Sequence, residues 1–211
     1  MGFYTEELKS LNLDELEQQF DRDGNYDDYY EEVAEQIVAH GEPGLVYLRR
    51  IVEEACIDEP QLCAAIWVLS LQPEGPWYRE KLRTLLQDSR GQVVASAVGG
   101  LARISARDLS ETVLRLQTHP SPYARAGVLV YMSRLFPNEA PPLLIAALKD
   151  AHPIVRESAI DELDDLGYYQ ALPAIRPLLY DQPDPVRQAA RTAVKNLTVL
   201  RKDASRTSPD S

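Results

Sequence analysis

The chain has 211 residues, 45% of them hydrophobic, with only 10 glycines and 3 phenylalanines; that balance excludes global disorder and favours helices over sheets. Its net charge of −11 is uneven: residues 1–60 carry 17 acidic against 4 basic side chains, and residues 61–211 carry 16 against 18. An acidic front repels phosphate, which sets aside nucleic acid and anionic membranes as partners.

Residues 1–42 read as an acidic helical cap. Thr5 to Phe20 has the pattern of one or two helical turns, capped by Asn12 or Asp14. The first residues lack the basic start and apolar core of a signal peptide, and no apolar run approaches the ~20 residues that span a bilayer. A soluble, cytoplasmic protein is therefore expected. Next come Asp21, Asp23, Asn25, Asp27 and Asp28, with Glu31 and Glu32 leading into a helix from Val33 to Ala39. The segment resembles an EF-hand loop, with oxygen-bearing residues at positions one, three and five and Glu32 at twelve. Tyr26 stands where the sharp bend requires glycine, so the favoured reading is an acidic turn between two helices, with no metal and no cofactor. Tyr26, Tyr29 and Tyr30, among Asp27 and Asp28, are candidate binding residues, because tyrosine contributes large contact area at low entropic cost. Alternatively, their rings cap the end of the helical array.

Cys56 and Cys63 flank the turn Asp58-Glu59-Pro60. Two cysteines make no disulfide framework in a chain of this length, and they read as small buried hydrophobes in a reducing compartment.

From residue 43 to 200 a repeat organises the chain. Turns begin at Asp88, His119, Asp150 and Asp181, spaced 31 residues apart. The register extends downstream through Ala97, Val128, Ala159 and Ala190, and through Leu101, Met132, Leu163 and Val194. Upstream it holds through Ile51, Leu82, Val113, Leu144 and Ile175. Each unit reads as helix, tight turn, helix, with Pro122, Pro153 and Pro185 near the start of the second helix, where a missing amide hydrogen costs nothing. An earlier unit at Asp58 slips by about one residue. One hairpin cannot bury its apolar face alone, so neighbours must stack.

The pattern Asp-x-x-Pro-x-Val-Arg followed by alanine and leucine, best seen from Asp150 to Leu166, resembles the short HEAT-like repeats of the phycobilisome-lyase type. The unit beginning at Asp88 departs from it, with Val94 in place of arginine. The resemblance implies an all-α, right-handed α-solenoid of about five helical hairpins. It also implies a structural role for Asp150, Pro153, Arg156, Asp181, Arg187 and Arg125, whose acidic and basic members would pair along the stack. The alternative for those arginines is a groove for an acidic ligand.

No catalytic constellation is present. His40, His119 and His152 fall in turns or helix ends without metal-ligand spacing, and no phosphate loop or nucleophile elbow occurs. Asp161, Glu162, Asp164 and Asp165 alternate with apolar positions as a solvated helix face does, and Asp161, Glu162 and Asp165 are candidate binding residues. The sequence thus points to a non-catalytic scaffold that binds a protein partner, as a monomer or within a hetero-complex. The runner-up, carried by the resemblance, is a bilin lyase subunit or chaperone-like factor acting on a phycobiliprotein-type partner. Residues 201–211 lack apolar periodicity and read as a disordered tail.

Overall fold

Local sequence sets most of the helix starts. In the computed structural model, which describes residues 5–22, 27–73 and 75–207, Asn12 closes a capping box with Glu15 at the head of one helix, each side chain accepting from the other's backbone amide. Proline occupies the first turn of several later helices. Every described regular element is helical, and the chain divides into two compact units, residues 1–106 and 107–211.

The first unit holds α1 (Thr5–Leu8), α2 (Leu13–Phe20), α3 (Asp27–Ala39), α4 (Glu42–Glu54), α5 (Glu59–Leu69), α6 (Pro76–Leu85) and α7 (Gly91–Arg103). Helices α4 and α5 form one hairpin, α6 and α7 the next. The acidic segment expected as a helical cap contributes α1, α2 and α3, and α3 lies against both α4 and α5. Its core includes Leu16, Phe20, Val33 and Ile37, with the Phe20 ring meeting Tyr30 and Tyr47 edge-on at 5.9 and 6.1 Å.

The second unit holds three hairpins. Its helices are α8 (Ser110–Leu114), α9 (Pro122–Leu135), α10 (Ala140–Ala147), α11 (Pro153–Asp165), α12 (Leu172–Ile175) and α13 (Asp184–Thr207). Helix α11 packs between α9 and α13. The first helices of two of these hairpins are short and tighten into 3-10 turns, at Arg115–Thr118 and Arg176–Tyr180. In the latter, Pro177 cannot donate to the carbonyl four residues back, so an α-helix cannot continue there.

The 31-residue register is the core. Ala97, Val128, Ala159 and Ala190 are fully buried, as are Leu82, Val113, Leu144 and Ile175, which line the opposing helices. Small residues at the first set let paired helices approach closely. Gly100 fits the same pattern, since a methyl group there would sit 2.9 Å from Leu82. Helix α11 ends with Gly167 at φ +63°, and Tyr168 donates to the carbonyl of Leu163, a Schellman closure. In α7 the equivalent residue is Ser105, at φ +57°, and Ala106 donates to Leu101 in the same way.

The C-terminus corrects the sequence reading. Helix α13 continues to Thr207, so residues 201–207, expected within a disordered tail, are helical. No glycine or proline interrupts the chain between Val186 and Ser208, so nothing in that stretch stops the helix.

Candidate interaction surface

Arginine and aspartate side chains join successive turns of the second unit. Arg125 makes two hydrogen bonds to the Asp150 carboxylate, at 2.9 and 2.8 Å, and donates to the carbonyls of His119 and Pro120. Arg156 repeats this one unit on, bonding Asp181 at 2.9 and 2.7 Å and the carbonyls of Asp150 and Ala151. The guanidinium beside Asp150 holds its carboxyl below the usual aspartate range. Arg187 binds its own turn's carbonyls and Asp184. Pro153 opens α11. The guanidinium groups therefore satisfy turn carbonyls and carboxylates within the stack, leaving little donor capacity for an acidic ligand.

The first unit meets the same need with a different residue. Arg90 holds Asp88 and reaches back to the carbonyls of Ala55 and Ile57, at 3.1 and 2.8 Å. In the second unit the arginine comes from the turn whose carbonyls it caps; here it comes from the turn that carries the aspartate. Val94, which stands at the usual arginine position, is fully buried among apolar neighbours.

The acidic front is only partly a surface. Tyr26 lies outside the described residues, as does the Asp27 side chain, while Asp28 is exposed. Tyr29 donates to Gln19 at 3.0 Å. Tyr30, expected as a contact residue, belongs instead to the core: it is 1% exposed and its hydroxyl donates to the carbonyl of Arg22. Phe20 offers an edge contact for its ring, and that burial outweighs exposure. Asp21, first position of the EF-hand-like segment, accepts from the buried Tyr47 hydroxyl at 2.6 Å. That bond and burial push the Tyr47 hydroxyl upward in pKa, burial contributing most. Among the described residues no group of three histidine, cysteine or acidic side chains is placed to hold a metal ion.

The carboxylates of α11 make a continuous face. Glu157, Asp161 and Asp165 recur every four residues, and none of the three makes an ion pair among the described residues. Asp164 accepts from Asn196 of α13 at 2.8 Å. Asp161 is exposed, yet the protein around its carboxyl partly desolvates it. That desolvation first, and the charges of Glu157, Asp165, Glu162 and Asp164 second, push it up to about 6. Glu162 is turned inward, raised by burial and accepting a hydrogen bond from Ser133 of α9. It is the least available of the three carboxylates expected to bind on this helix. Glu157 was legible from its spacing to Asp161 but lies outside the cluster that sequence alone singles out.

Beside this face, α9 is apolar on its outer side as well as its inner one. Tyr123 and Val130 are exposed large hydrophobics, with Ala126 and Gly127 between them. In the first unit Arg103 stacks over the Trp67 ring at 3.6 Å, and Leu71 is 57% exposed. His119 and His152 each accept a backbone amide hydrogen two residues on, from Ser121 and Ile154, and so act as turn residues.

Stacked hairpins, a fixed register and guanidinium rungs give an all-helical repeat fold of the HEAT and armadillo kind. Residues 113–195 match the family model described as HEAT repeats. No curated protein matches the sequence. Among solved structures, YibA of Escherichia coli is 20% identical, with a TM-score of 0.67 over 94% of this chain and 77% of that one. A designed armadillo repeat protein in complex with the peptide (KR)4 is 18% identical, with a TM-score of 0.52 over 92% of this chain and 97% of that one. The complex of CpcE and CpcF of phycocyanin lyase from Nostoc sp. PCC7120 is 16% identical, with a TM-score of 0.51 over 92% and 86%. At these identities the likeness is one of fold. No described helix is long and apolar enough to cross a membrane.

Proposed function

We propose that the protein is a non-catalytic, cytoplasmic scaffold that binds another protein on the outer faces of its second helices. The observation that carries this reading is the row Glu157–Asp161–Asp165, acidic side chains displayed at one-turn intervals without internal cations. The row makes no ion pair among the described residues, and Asp161 is held in an environment that disfavours its charge. A cationic partner surface would relieve that repulsion. The designed armadillo protein that carries a lysine- and arginine-rich peptide is an example of the fold used in this manner. The lyase alternative draws on the repeat pattern and on likeness of fold, and on no residue outside the repeat.

Affinity capture from native lysate, with the full chain as bait and mass spectrometric readout, tests the scaffold reading. A defined partner is expected with wild type. Recovery of no protein above a scrambled-bait control overturns the reading.

A further inference from the structure

The outer face of α9 differs from that of an ordinary surface helix. Its inner side buries Ala124, Val128, Leu129, Met132 and Leu135. Its outer side should then be charged, yet Tyr123 and Val130, 41% and 38% exposed, stand seven residues apart with Ala126 and Gly127 between. Seven residues are two helical turns, about 10.5 Å of exposed apolar strip. The residues in the middle, alanine and glycine, add little bulk between the two larger ones.

The 31-residue register places α11 alongside. Glu157 is one repeat on from Ala126, Asp161 from Val130 and Asp165 from Arg134, and the two helices are packed together. Apolar positions of one helix are thus matched, level by level, by carboxylates of the next. Arg134 marks the end of the strip.

We propose that this paired face, Tyr123 and Val130 of α9 with Glu157 and Asp161 of α11, is a docking strip for a basic amphipathic helix of the partner. The proposal rests on the scaffold reading and narrows it to one surface and one partner chemistry. Apolar anchors at i, i+3, i+4 and i+7 of the incoming helix cover the Tyr123–Val130 strip, as in helix-in-groove recognition. Lysines or arginines along its flank meet the carboxylates. Charge complementarity selects the occupant: an acidic or neutral amphipathic helix would cover the same apolar area while leaving the Glu157 and Asp161 charges unanswered.

The probe is a fluorescein-labelled Leu/Lys amphipathic peptide of about four helical turns, roughly 14 residues. A Leu/Glu counterpart and a scrambled Leu/Lys peptide of identical charge serve as references. Anisotropy titrations against the full chain are expected to show binding of the Leu/Lys peptide alone, weakened by salt. Val130→Ser and Asp161→Lys are each expected to weaken it about tenfold, as truncation of an anchor or loss of a central charge does. Glu6→Lys on the acidic front is expected to leave it unchanged. Circular dichroism confirms that the variants remain folded. Equal binding of the scrambled peptide, or unchanged affinity in both α9 and α11 variants, overturns the docking strip. If capture from lysate still recovers a partner whose binding ignores Val130→Ser and Asp161→Lys, the strip fails while the scaffold reading stands.

Discussion

Replacing Arg156 by methionine removes one rung while keeping the length and apolar stem of the side chain. The loss comprises two charge-assisted hydrogen bonds to Asp181 and two to the carbonyls of Asp150 and Ala151. The paired side chains are only 14% and 10% exposed, so Asp181 would be left largely desolvated with no counter-charge. Breaking such a pair from one side costs about 3–5 kcal/mol when burial is complete; residual solvent access here brings the expectation to about 3 kcal/mol. Arg187 is the internal comparison. Its pair with Asp184 is 29% and 53% exposed, and Arg187→Met should cost about 1 kcal/mol. Urea unfolding followed by far-UV circular dichroism measures both. Tryptophan fluorescence does not, because Trp67 and Trp77 both lie in the first unit. A double-mutant cycle with Asp181→Asn should return a coupling of at least ~1.5 kcal/mol. If Arg156→Met costs no more than Arg187→Met, or the coupling vanishes, the rung is not a stabilising element of the stack.

Further outcomes follow from packing and charge. A methyl group on Gly44 would lie 1.9 Å from the Ile37 carbonyl oxygen, so Gly44→Ala must push α4 from α3 at a cost of ~3 kcal/mol. Gly99→Ala, 3.4 Å from the flexible end of Arg103, should instead stabilise by about 0.5–1 kcal/mol, and thermal melts of the two variants should move in opposite directions. Gln61 is 1% exposed with neither amide atom hydrogen-bonded, at a helix position filled by Val93, Val155 and Val186 in other repeats, so Gln61→Leu should raise stability by about 1–2 kcal/mol; a loss would mean that the amide is satisfied. The charges give opposite pH signs. Asp161, raised to about 6 when folded, binds its proton more tightly than in the unfolded chain, so stability rises as pH falls from 7 towards 4. Asp161→Asn should therefore stabilise by ~1 kcal/mol at pH 7, discounted for its exposure, and by nothing at pH 3.5. Asp88 and Asp150 are lowered by Arg90 and Arg125, so their contribution is complete above about pH 4 and lost below it; chemical denaturation across that range checks both signs.

The repeat was legible because its signals are local and recur. Proline at helix starts, alanine at the closest crossings and aspartate at the turns need only their own neighbourhood to be read. The rungs of Arg125 and Arg156 were implied by family resemblance and are visible as bonds between residues 25 apart. What escaped depended on tertiary placement. Tyr30 reads as one more tyrosine in an acidic run until Phe20 and the Arg22 carbonyl claim it. The outer strip of α9 carries no sequence mark, because a helix apolar on both sides reads simply as buried. Arg90 was invisible as a rung because it sits two residues after Asp88 instead of at the repeat's arginine position.

That substitution bears on whether the units are interchangeable. In the second unit Arg125 and Arg156 each cap their own turn's carbonyls and reach forward to the next turn's aspartate, so a duplicated block of residues 150–180, set in after Tyr180, would arrive with every bond it needs. Between the first two hairpins the traffic runs backwards: the carbonyls of Ala55 and Ile57 depend on an arginine supplied by the following turn. A block inserted at that junction would strand them. The second unit is thus open to extension at its turns, and the first is closed to insertion at the turn of Ala55 and Ile57, a difference that the 31-residue period conceals.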